Sequence, residues 1–269
     1  MTPLISEFSY GYAITDELIH GLHTPITAAP VFPSLHEEGQ TGGGYDVMLP
    51  RPAIPLFLQF KLSNCLTTRN ASESKAGLLS TPYYRMHLRA RKHSRQHELL
   101  LDLESHGNDV YYTAPAFHKD DELNDAYLTQ NVCARSMWLR PSFFGPLPDD
   151  ELHYAAFQDA LADRFYCCSQ PRVVTRDSRF TAFIDNIVAT LARPESLVPD
   201  VDRFERLADK LMRIASDQRL ELQSFNRFVP FAELPAVQRA AILAKVLFDT
   251  QLYIATLKEA EQSNTMVLA

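Results

Sequence analysis

Three polar residues between positions 42 and 63 have the types and the spacing that phosphodiester chemistry needs. Asp46 follows three glycines, and Gln59 and Lys61 interrupt an apolar run two residues apart. Side chains alternate between the faces of a strand that rises about 3.3 Å per residue, so Gln59 and Lys61 share one face about 7 Å apart. An ammonium group beside a phosphate stabilises the negative charge that develops during cleavage. The spacing therefore predicts that an amide and an ammonium group lie in one cavity.

The same stretch offers the hard oxygen ligands that Mg²⁺ or Mn²⁺ prefers. We expect the carboxylate of Asp46, the amide oxygen of Gln59 and the backbone carbonyl of Phe60 to act as ligands. Glu38, or its neighbour Glu37, precedes Asp46 by a few residues and offers a further carboxylate. A divalent ion held there polarises a phosphate and activates water. The competing interpretation is an ordinary strand with one wet face, preceded by an Asp that forms a turn.

The elements that must position these residues form a mixed α/β pattern in the first half of the chain. Periodicity predicts a helix that begins at Thr15 or Asp16 and a short helix that ends at Gly39. It also predicts strands at 45–49, 55–62, 83–88, 109–115 and 136–141, and a helix at 94–107. The connection between the first two strands is short enough for an antiparallel hairpin, which would place Asp46 beside the polar face of the second strand. We therefore predict a sheet covered by helices on both sides.

This order of elements, with an acid on one strand and an (acid or amide)-x-Lys pattern on the next, resembles the PD-(D/E)XK nuclease superfamily. The resemblance covers residues 30–115: Asp46 matches the first acid, Gln59 the position of the second acid, and Lys61 the lysine. The Gln-x-Lys variant is similar to the Mrr-like restriction branch, in which a glutamate on the preceding helix, here Glu38 or its neighbour, supplies a carboxylate. The resemblance implies a restriction-endonuclease-like αβββαβ core, Mg²⁺-dependent DNA cleavage, and a setting in restriction or anti-phage defence.

The segment 83–98 concentrates positive charge in an otherwise acidic protein. It runs from the third predicted strand into the following helix, which in the resembled fold lies beside the active site. We predict that this segment contacts nucleic-acid phosphates, with Tyr83 or Tyr84 available to stack on a base. The contacting residues would be Arg85, Arg89, Arg91, Lys92, His93, Arg95 and Gln96. The alternative interpretation is a solvated loop and helix start, since charge runs are usually of that kind.

From Pro148 onward the apolar periodicity is helical. It predicts helices within 148–166, 177–194, 202–218 and 234–260. The predicted organisation is therefore an α/β core at 1–147 and a helical region at 148–269. Such a region is typical of packing, of dimerisation or of docking to a partner protein.

Composition bears on several other classes of protein. The formal net charge of −7 argues against a broad cationic coat, although a local basic face can still bind nucleic acid. The first residues do not have the pattern of a secretory leader, and no apolar run approaches the ~20 residues of a membrane span. The four cysteines form no CxxC pair and match no zinc spacing, which favours a reducing, cytoplasmic setting.

These observations leave two main hypotheses. In the first, the protein is a metal-dependent nuclease in which Asp46 and Glu38 hold the metal, Gln59 completes its coordination and Lys61 stabilises the transition state. In the second, the protein is a catalytically inactive member of the same fold that binds nucleic acid or a partner protein. A weaker third hypothesis is a helical interaction module on an unrelated α/β core.

Overall fold

The computed structural model describes residues 1–31, 53–193, 196, 202–217 and 231–258, which form a mixed α/β structure with two sheets. The α/β class predicted from the sequence is confirmed. The helices are α1 (Glu7–His20), α2 (Ser72–Lys75), α3 (Gln96–Ser105), α4 (Asp120–Leu128), α5 (Pro141–Phe144), α6 (Phe180–Leu191), α7 (Arg203–Asp217) and α8 (Ala236–Phe248). The strands are β1 (Ile26–Val31), β2 (Ala53–Phe60), β3 (Ser63–Leu66), β4 (Tyr83–His87), β5 (Asp109–Pro115), β6 (Ser136–Leu139), β7 (Tyr154–Phe157), β8 (Phe165–Cys167), β9 (Arg172–Val174) and β10 (Gln251–Leu257).

The first sheet contains the strand that carries the predicted chemistry. Its order is β1-β10-β2-β5-β6, with β10 antiparallel to both β1 and β2, and β2 parallel to β5. Strands β1, β2 and β5 therefore run in the same direction and end at one edge of the sheet, which we call the carboxyl edge. In open α/β sheets this is the edge at which ligands usually bind.

Strand β2 separates two hydrophobic clusters, as its alternation predicts. Leu56, Leu58 and Phe60 are buried on the face covered by α1, α4 and α6. Phe57 is buried on the opposite face, which is covered by α3, α5, α7, α8 and the second sheet. The expectation that helices cover both faces of the sheet is confirmed.

The neighbours of β2 differ from the predicted ones. Strand β2 pairs with β10 on one side and with β5 on the other. Both neighbours of β2 therefore come from distant parts of the sequence. The predicted hairpin partner, residues 45–49, lies outside the described residues. The third predicted strand forms β4, but it lies in the second sheet, whose order is β3-β4-β7-β8-β9. The prediction that this strand belongs to the same sheet as β2 is therefore wrong, because the chain leaves the first sheet after Phe60 to form the β3–β4 hairpin.

The first helix begins at Glu7, well before the predicted start at Thr15 or Asp16. The Ser6 hydroxyl accepts a hydrogen bond from the Ser9 N–H at 2.9 Å and caps the helix. Gly11 in the second turn weakens the local helix signal, since glycine is a poor helix former. Tertiary burial of this turn against the sheet overrides that weakness.

The predicted helices α6 and α7 are confirmed, the helix predicted over 234–260 is confirmed only in its first half as α8, and the helix predicted over 148–166 is wrong. The helix predicted over 148–166 is replaced by β7 and the start of β8, whose residues are buried on both faces, so that strand alternation is hidden. The helix predicted over 234–260 ends at Phe248, where Asp249 adopts the left-handed conformation with φ 55°. The chain then forms β10, whose central residues are also buried on both faces.

Candidate active site

Gln59, Lys61 and Gln96 form a buried, hydrogen-bonded cluster at the carboxyl edge. Their relative exposures are 0%, 9% and 6%. Gln96 Nε2 donates to Gln59 Oε1 at 2.7 Å, and Lys61 Nζ donates to Gln96 Oε1 at 3.3 Å. The two residues that the alternation of β2 places on one face therefore reach the same glutamine. The competing interpretation of a wet strand face is excluded by their burial.

Three elements hold this cluster in place. The Lys61 backbone N–H donates to the Thr113 carbonyl at 2.9 Å, which extends the pairing of β2 with β5 by one residue. Gln96 is the first residue of α3, and its Nε2 also donates to the carbonyl of Phe248, the last residue of α8, at 2.6 Å. A single amide thus ties together the end of β2, the start of α3 and the end of α8.

One atom of the cluster lacks a partner. Gln59 Nε2 is buried and makes no hydrogen bond with any described residue. A buried N–H group without an acceptor carries a free-energy cost of about 1–3 kcal/mol. This N–H group can therefore donate a hydrogen bond to a carboxylate or phosphate oxygen.

Charged residues of α1 and α8 surround Lys61. Burial lowers the pKa of Lys61, and the negative charge of Glu7 acts in the opposite direction. Burial also raises the pKa of the Glu7 carboxyl, with Lys61 opposing that shift. Asp249 pairs with Lys245 at 2.5 Å and with Arg89 at 3.5 Å. The carboxyl edge therefore combines both signs of charge around a partly desolvated lysine.

A cleft of about 620 Å³ opens between α1 and the end of the sheet, lined by Phe60 but not by Gln59, Lys61 or Gln96. Its walls include Phe60, Tyr253 and Gly11, and both Glu7 and Asp249 line it. The carboxylates that act on Lys61 thus also face this cleft. A ligand in the cleft would meet an apolar wall with charged groups at its border.

The acidic residues predicted as metal ligands, Asp46 and Glu38, lie outside the described residues, as does Glu37. The chain enters residues 32–52 from the end of β1, where Val31 lies opposite Leu252 in β10. This end of β1 is at the carboxyl edge, because β10 in turn places Gln251 opposite Leu58. The chain therefore leaves β1 on the same edge as Lys61.

The described residues offer few ligands to a divalent ion at this edge. Within the described ranges, no group of three His, Cys, Asp or Glu side chains could hold a metal ion. The amide oxygen of Gln59 accepts a hydrogen bond from Gln96. Phe60, whose backbone carbonyl is the other predicted ligand, lies beyond Leu58, the last residue of β2 that pairs with β10. These two residues offer neutral oxygens only. A metal site here would therefore need further ligands from outside the described residues, where the predicted ligands Asp46 and Glu38 lie.

Most of the predicted phosphate-contacting residues have acidic partners. Arg85 pairs with the buried Glu73 and lies 4.0 Å over the Tyr154 ring. The remaining ion pairs are Arg89–Asp249, Arg91–Asp150 at 2.7 Å and Arg95–Glu98 at 3.0 Å. Lys92 and His93 are exposed and form no ion pair with a described residue. Gln96 is part of the buried cluster rather than of an exposed basic face.

Sequence reasoning missed the contributions of Glu7, Asp249 and Phe248. The pattern Ser6-Glu7 before an apolar stripe is a helix-start signal that could have located Glu7 on a first turn. Nothing in the local sequence indicates that the end of α8 lies beside Lys61, since that proximity depends on β10 pairing with β2.

Comparisons with known proteins add no further constraint on this site. No helix in the described part of the chain has both the length and the apolar character needed to cross a membrane. No family model, no curated protein and no solved structure matches this chain.

Proposed function

We propose that this protein is a Mg²⁺- or Mn²⁺-dependent nuclease that cleaves phosphodiester bonds in DNA. The observation that carries the proposal is the buried cluster in which Gln96 joins Lys61 to Gln59 at the carboxyl edge. A lysine and an amide at this spacing are the part of the PD-(D/E)XK pattern that lies within the described residues. The chain's exit from β1 at the same edge supports the assignment of Asp46 and Glu38 as metal ligands.

Lys61 has the central role in this proposal. Its ammonium group is largely removed from water, and an electrostatic interaction is stronger in such a site than in solution. It would stabilise the charge that develops on the phosphate oxygens in the transition state. Gln96 acts as a positioning residue, because its side-chain oxygen accepts the hydrogen bond from Lys61 Nζ.

Gln59 would contribute in two ways. Its amide oxygen is a neutral ligand in the position of the second acid, and its unpartnered Nε2 is a donor for a carboxylate or phosphate oxygen. When bound, a divalent ion would supply polarisation of the phosphate and a more acidic water. Because Gln59 brings no charge, Asp46 and Glu38 would carry the negative charge of the ligand set.

The experiment is a plasmid-nicking assay on the wild type and three matched variants. We expect Lys61→Ala and Asp46→Ala each to lower the cleavage rate in Mg²⁺ or Mn²⁺ by about 10²–10³-fold, the scale at which loss of one transition-state contact is felt. Lys75→Ala removes an exposed lysine of α2 and is expected to cleave like the wild type. Cleavage that survives in Lys61→Ala at the wild-type rate would rule out the proposed role of this residue.

A second candidate function is nucleic-acid binding without cleavage. It is favoured by the internal use of the Gln59 and Gln96 side-chain oxygens, each of which accepts a hydrogen bond within the protein. In this case the wild type shifts DNA in a gel, the shift weakens with salt, and Arg91→Ala or Lys92→Ala weakens it further. Absence of cleavage together with such a shift would favour this function over the nuclease.

A further inference from the structure

Two adjacent thiols, Cys167 and Cys168, lie at the end of β8, outside the candidate active site. Cys168 Sγ donates to Cys167 Sγ with the two sulfur atoms 3.8 Å apart. Both side chains belong to the core cluster beneath the second sheet. The two sulfurs are close to each other because Cys168 turns back with a left-handed backbone, φ 74°.

Arg172 provides a fixed positive charge beside this pair. It lies directly opposite Cys167 in the β8–β9 pairing, and its Nη2 donates to Cys167 Sγ at 3.4 Å. The same nitrogen donates to the Phe144 carbonyl at 2.6 Å, which fixes the guanidinium in this position. Arg172 therefore stabilises negative charge on Cys167.

The environment separates the two thiols chemically. The hydrogen bond from Cys168, aided by Arg172, lowers the pKa of Cys167 to about 6 even though burial opposes the shift. The same hydrogen bond raises the pKa of Cys168. The arrangement therefore favours the thiolate on Cys167, with Cys168 as the thiol that donates to it. A thiolate, rather than a thiol, is the nucleophile in sulfur chemistry.

The other two cysteines lack these features. Burial raises the pKa of both Cys65 and Cys133. Cys133 lies in the core against α1, where its Sγ contacts the Ile14 carbonyl at 4.0 Å. These two residues serve as internal controls for thiol reactivity.

The thiol pair lies next to β9, an edge strand of the second sheet. Strand β9 pairs with β8 through three residues, and Arg172 and Val173 are exposed. Short terminal strands with exposed backbone hydrogen bonds open locally at low free-energy cost. Such an opening gives a small oxidant access to Cys167, while the hydrogen bond from Arg172 to the Phe144 carbonyl keeps the guanidinium beside the sulfur.

We propose that Cys167 and Cys168 form an oxidation site that reacts with hydrogen peroxide and closes to a reversible disulfide between neighbouring residues. The Cys167 thiolate attacks one peroxide oxygen, the O–O bond breaks, and the leaving oxygen takes a proton from solvent and departs as water. The Cys168 sulfur then attacks the resulting Cys167 sulfenic acid, the S–O bond breaks, and a second water leaves with the Cys168 proton. The sulfur pair loses two electrons and the peroxide gains two.

Adjacent Cα atoms are about 3.8 Å apart, shorter than the 4.4–6.8 Å of most disulfides, so the product is strained and easily reduced. Strained disulfides have high reduction potentials and behave as labile ones. The bond therefore opens again with a dithiol reductant, which agrees with a redox-responsive site rather than a structural crosslink.

The test treats the folded full-length protein with hydrogen peroxide, blocks remaining thiols and analyses tryptic peptides by mass spectrometry. Cleavage after Arg164 and Arg172 releases residues 165–172, which contain both thiols. We expect this peptide to become two hydrogen atoms lighter, to resist alkylation, and to recover both thiols after reduction. Peptides with Cys65 or Cys133 are expected to remain reduced.

Two arginine variants make the test specific. Arg172→Gln removes the charge beside Cys167 and is expected to slow disulfide formation at neutral pH by about tenfold or more, because the thiolate fraction falls. This variant lacks the tryptic site after residue 172, so its two thiols are followed in the peptide 165–176. The rate in the wild type rises as the pH passes about 6, and the rise in Arg172→Gln moves to higher pH. Arg176→Gln changes an exposed arginine nearby and is expected to behave like the wild type.

The outcomes that overturn the inference are equally distinct. Folded wild type that yields no disulfide, or only oxygenated forms of the 165–172 peptide, removes the proposed site. An unchanged pH profile in Arg172→Gln removes the role of the arginine. Circular dichroism of each variant shows that the comparison is made on folded protein.

Discussion

Lys61 is an ammonium group held where water is largely excluded. Burial lowers its pKa, and the negative charges of Glu7 and Asp249 only partly oppose that shift. Its side-chain hydrogen bond goes to the neutral amide of Gln96 rather than to a carboxylate. A buried charge with a neutral partner costs stability, so a purely structural role gives little reason for a lysine at this position.

The first prediction concerns Lys61→Met, which keeps the length of the side chain and removes its charge. Because the folded-state pKa of Lys61 lies below its ordinary value of 10.5, the unfolded chain binds more protons between the two values. The cost of the buried charge is therefore fully present below the folded-state pKa and declines as the pH rises toward 10.5. We expect the stability of Lys61→Met relative to the wild type to be greatest near neutral pH and to decrease toward pH 10.

Urea unfolding of both proteins between pH 7 and pH 10 measures this difference, with m values compared at each pH. Lys75→Met, at an exposed lysine, is the matched control and is expected to show no such trend. A stability difference for Lys61→Met that stays constant over this range would mean that the lysine is not desolvated in the folded protein.

At the scale of elements, the approach of α1 to β2 shapes the carboxyl edge. Gly11 faces Phe60 across the helix–strand contact, and a Cβ added at Gly11 would lie 2.8 Å from Phe60 Cδ2. Tyr10 also packs against Phe60, with ring centroids 6.0 Å apart at 83°. The absence of a side chain at Gly11 therefore lets α1 bring Glu7 close to Lys61.

The second prediction follows from this contact. Gly11→Ala improves helix propensity by about 1 kcal/mol but forces the helix and Phe60 apart. We expect a net loss of stability, because overpacking of a buried contact costs about 1–3 kcal/mol.

Chemical denaturation of Gly11→Ala, Phe60→Leu and the double variant forms a double-mutant cycle. The smaller leucine should relieve the clash, so the double variant is expected to be more stable than the sum of the single effects. Additive effects would place the helix farther from β2 than the structure has it.

At the scale of the whole molecule, the C-terminal part of the chain completes the sheet that begins in its N-terminal part. Strand β10 lies between β1 and β2 and pairs with both along six residues each. Leu252, Tyr253 and Ile254 are 1%, 0% and 7% exposed. The position of Asp249 near Lys61 also depends on this strand, because Asp249 lies two residues before its first residue, Gln251. The candidate site is therefore assembled from both ends of the described chain.

The third prediction is that a chain ending at Asp249 does not fold cooperatively. It loses three large buried side chains, each worth about 1.5–3 kcal/mol, and leaves β1 and β2 without their shared neighbour. That loss is comparable to a total stability of about 5–15 kcal/mol. A chain that ends at Lys258 keeps β10 and is the comparison. Thermal unfolding followed by circular dichroism distinguishes the two, and a cooperative transition in the shorter chain would contradict the assigned role of β10.

The sequence predicted correctly those elements that depend on the pattern of side chains over a few neighbouring residues. The alternation in β2, the helices α3, α6 and α7, and strands β5 and β6 follow from side-chain periodicity over a few residues, and they are confirmed. Strands β7 and β10 were read as helices because residues buried on both faces give no alternation. Gln96 was predicted as a phosphate-contacting residue and not as the hydrogen-bond partner of Gln59 and Lys61.

By itself, the sequence determined that Gln59 and Lys61 share a face, since a spacing of two in an extended chain leaves no other arrangement. Only the tertiary structure decided what that face meets. The burial of β10 between β1 and β2 brings α8 to the carboxyl edge, and the first residue of α3 then bridges Phe248 to Gln59 and Lys61. The physical reason is that backbone geometry fixes neighbours within a strand, whereas burial of apolar surface selects partners far apart in sequence.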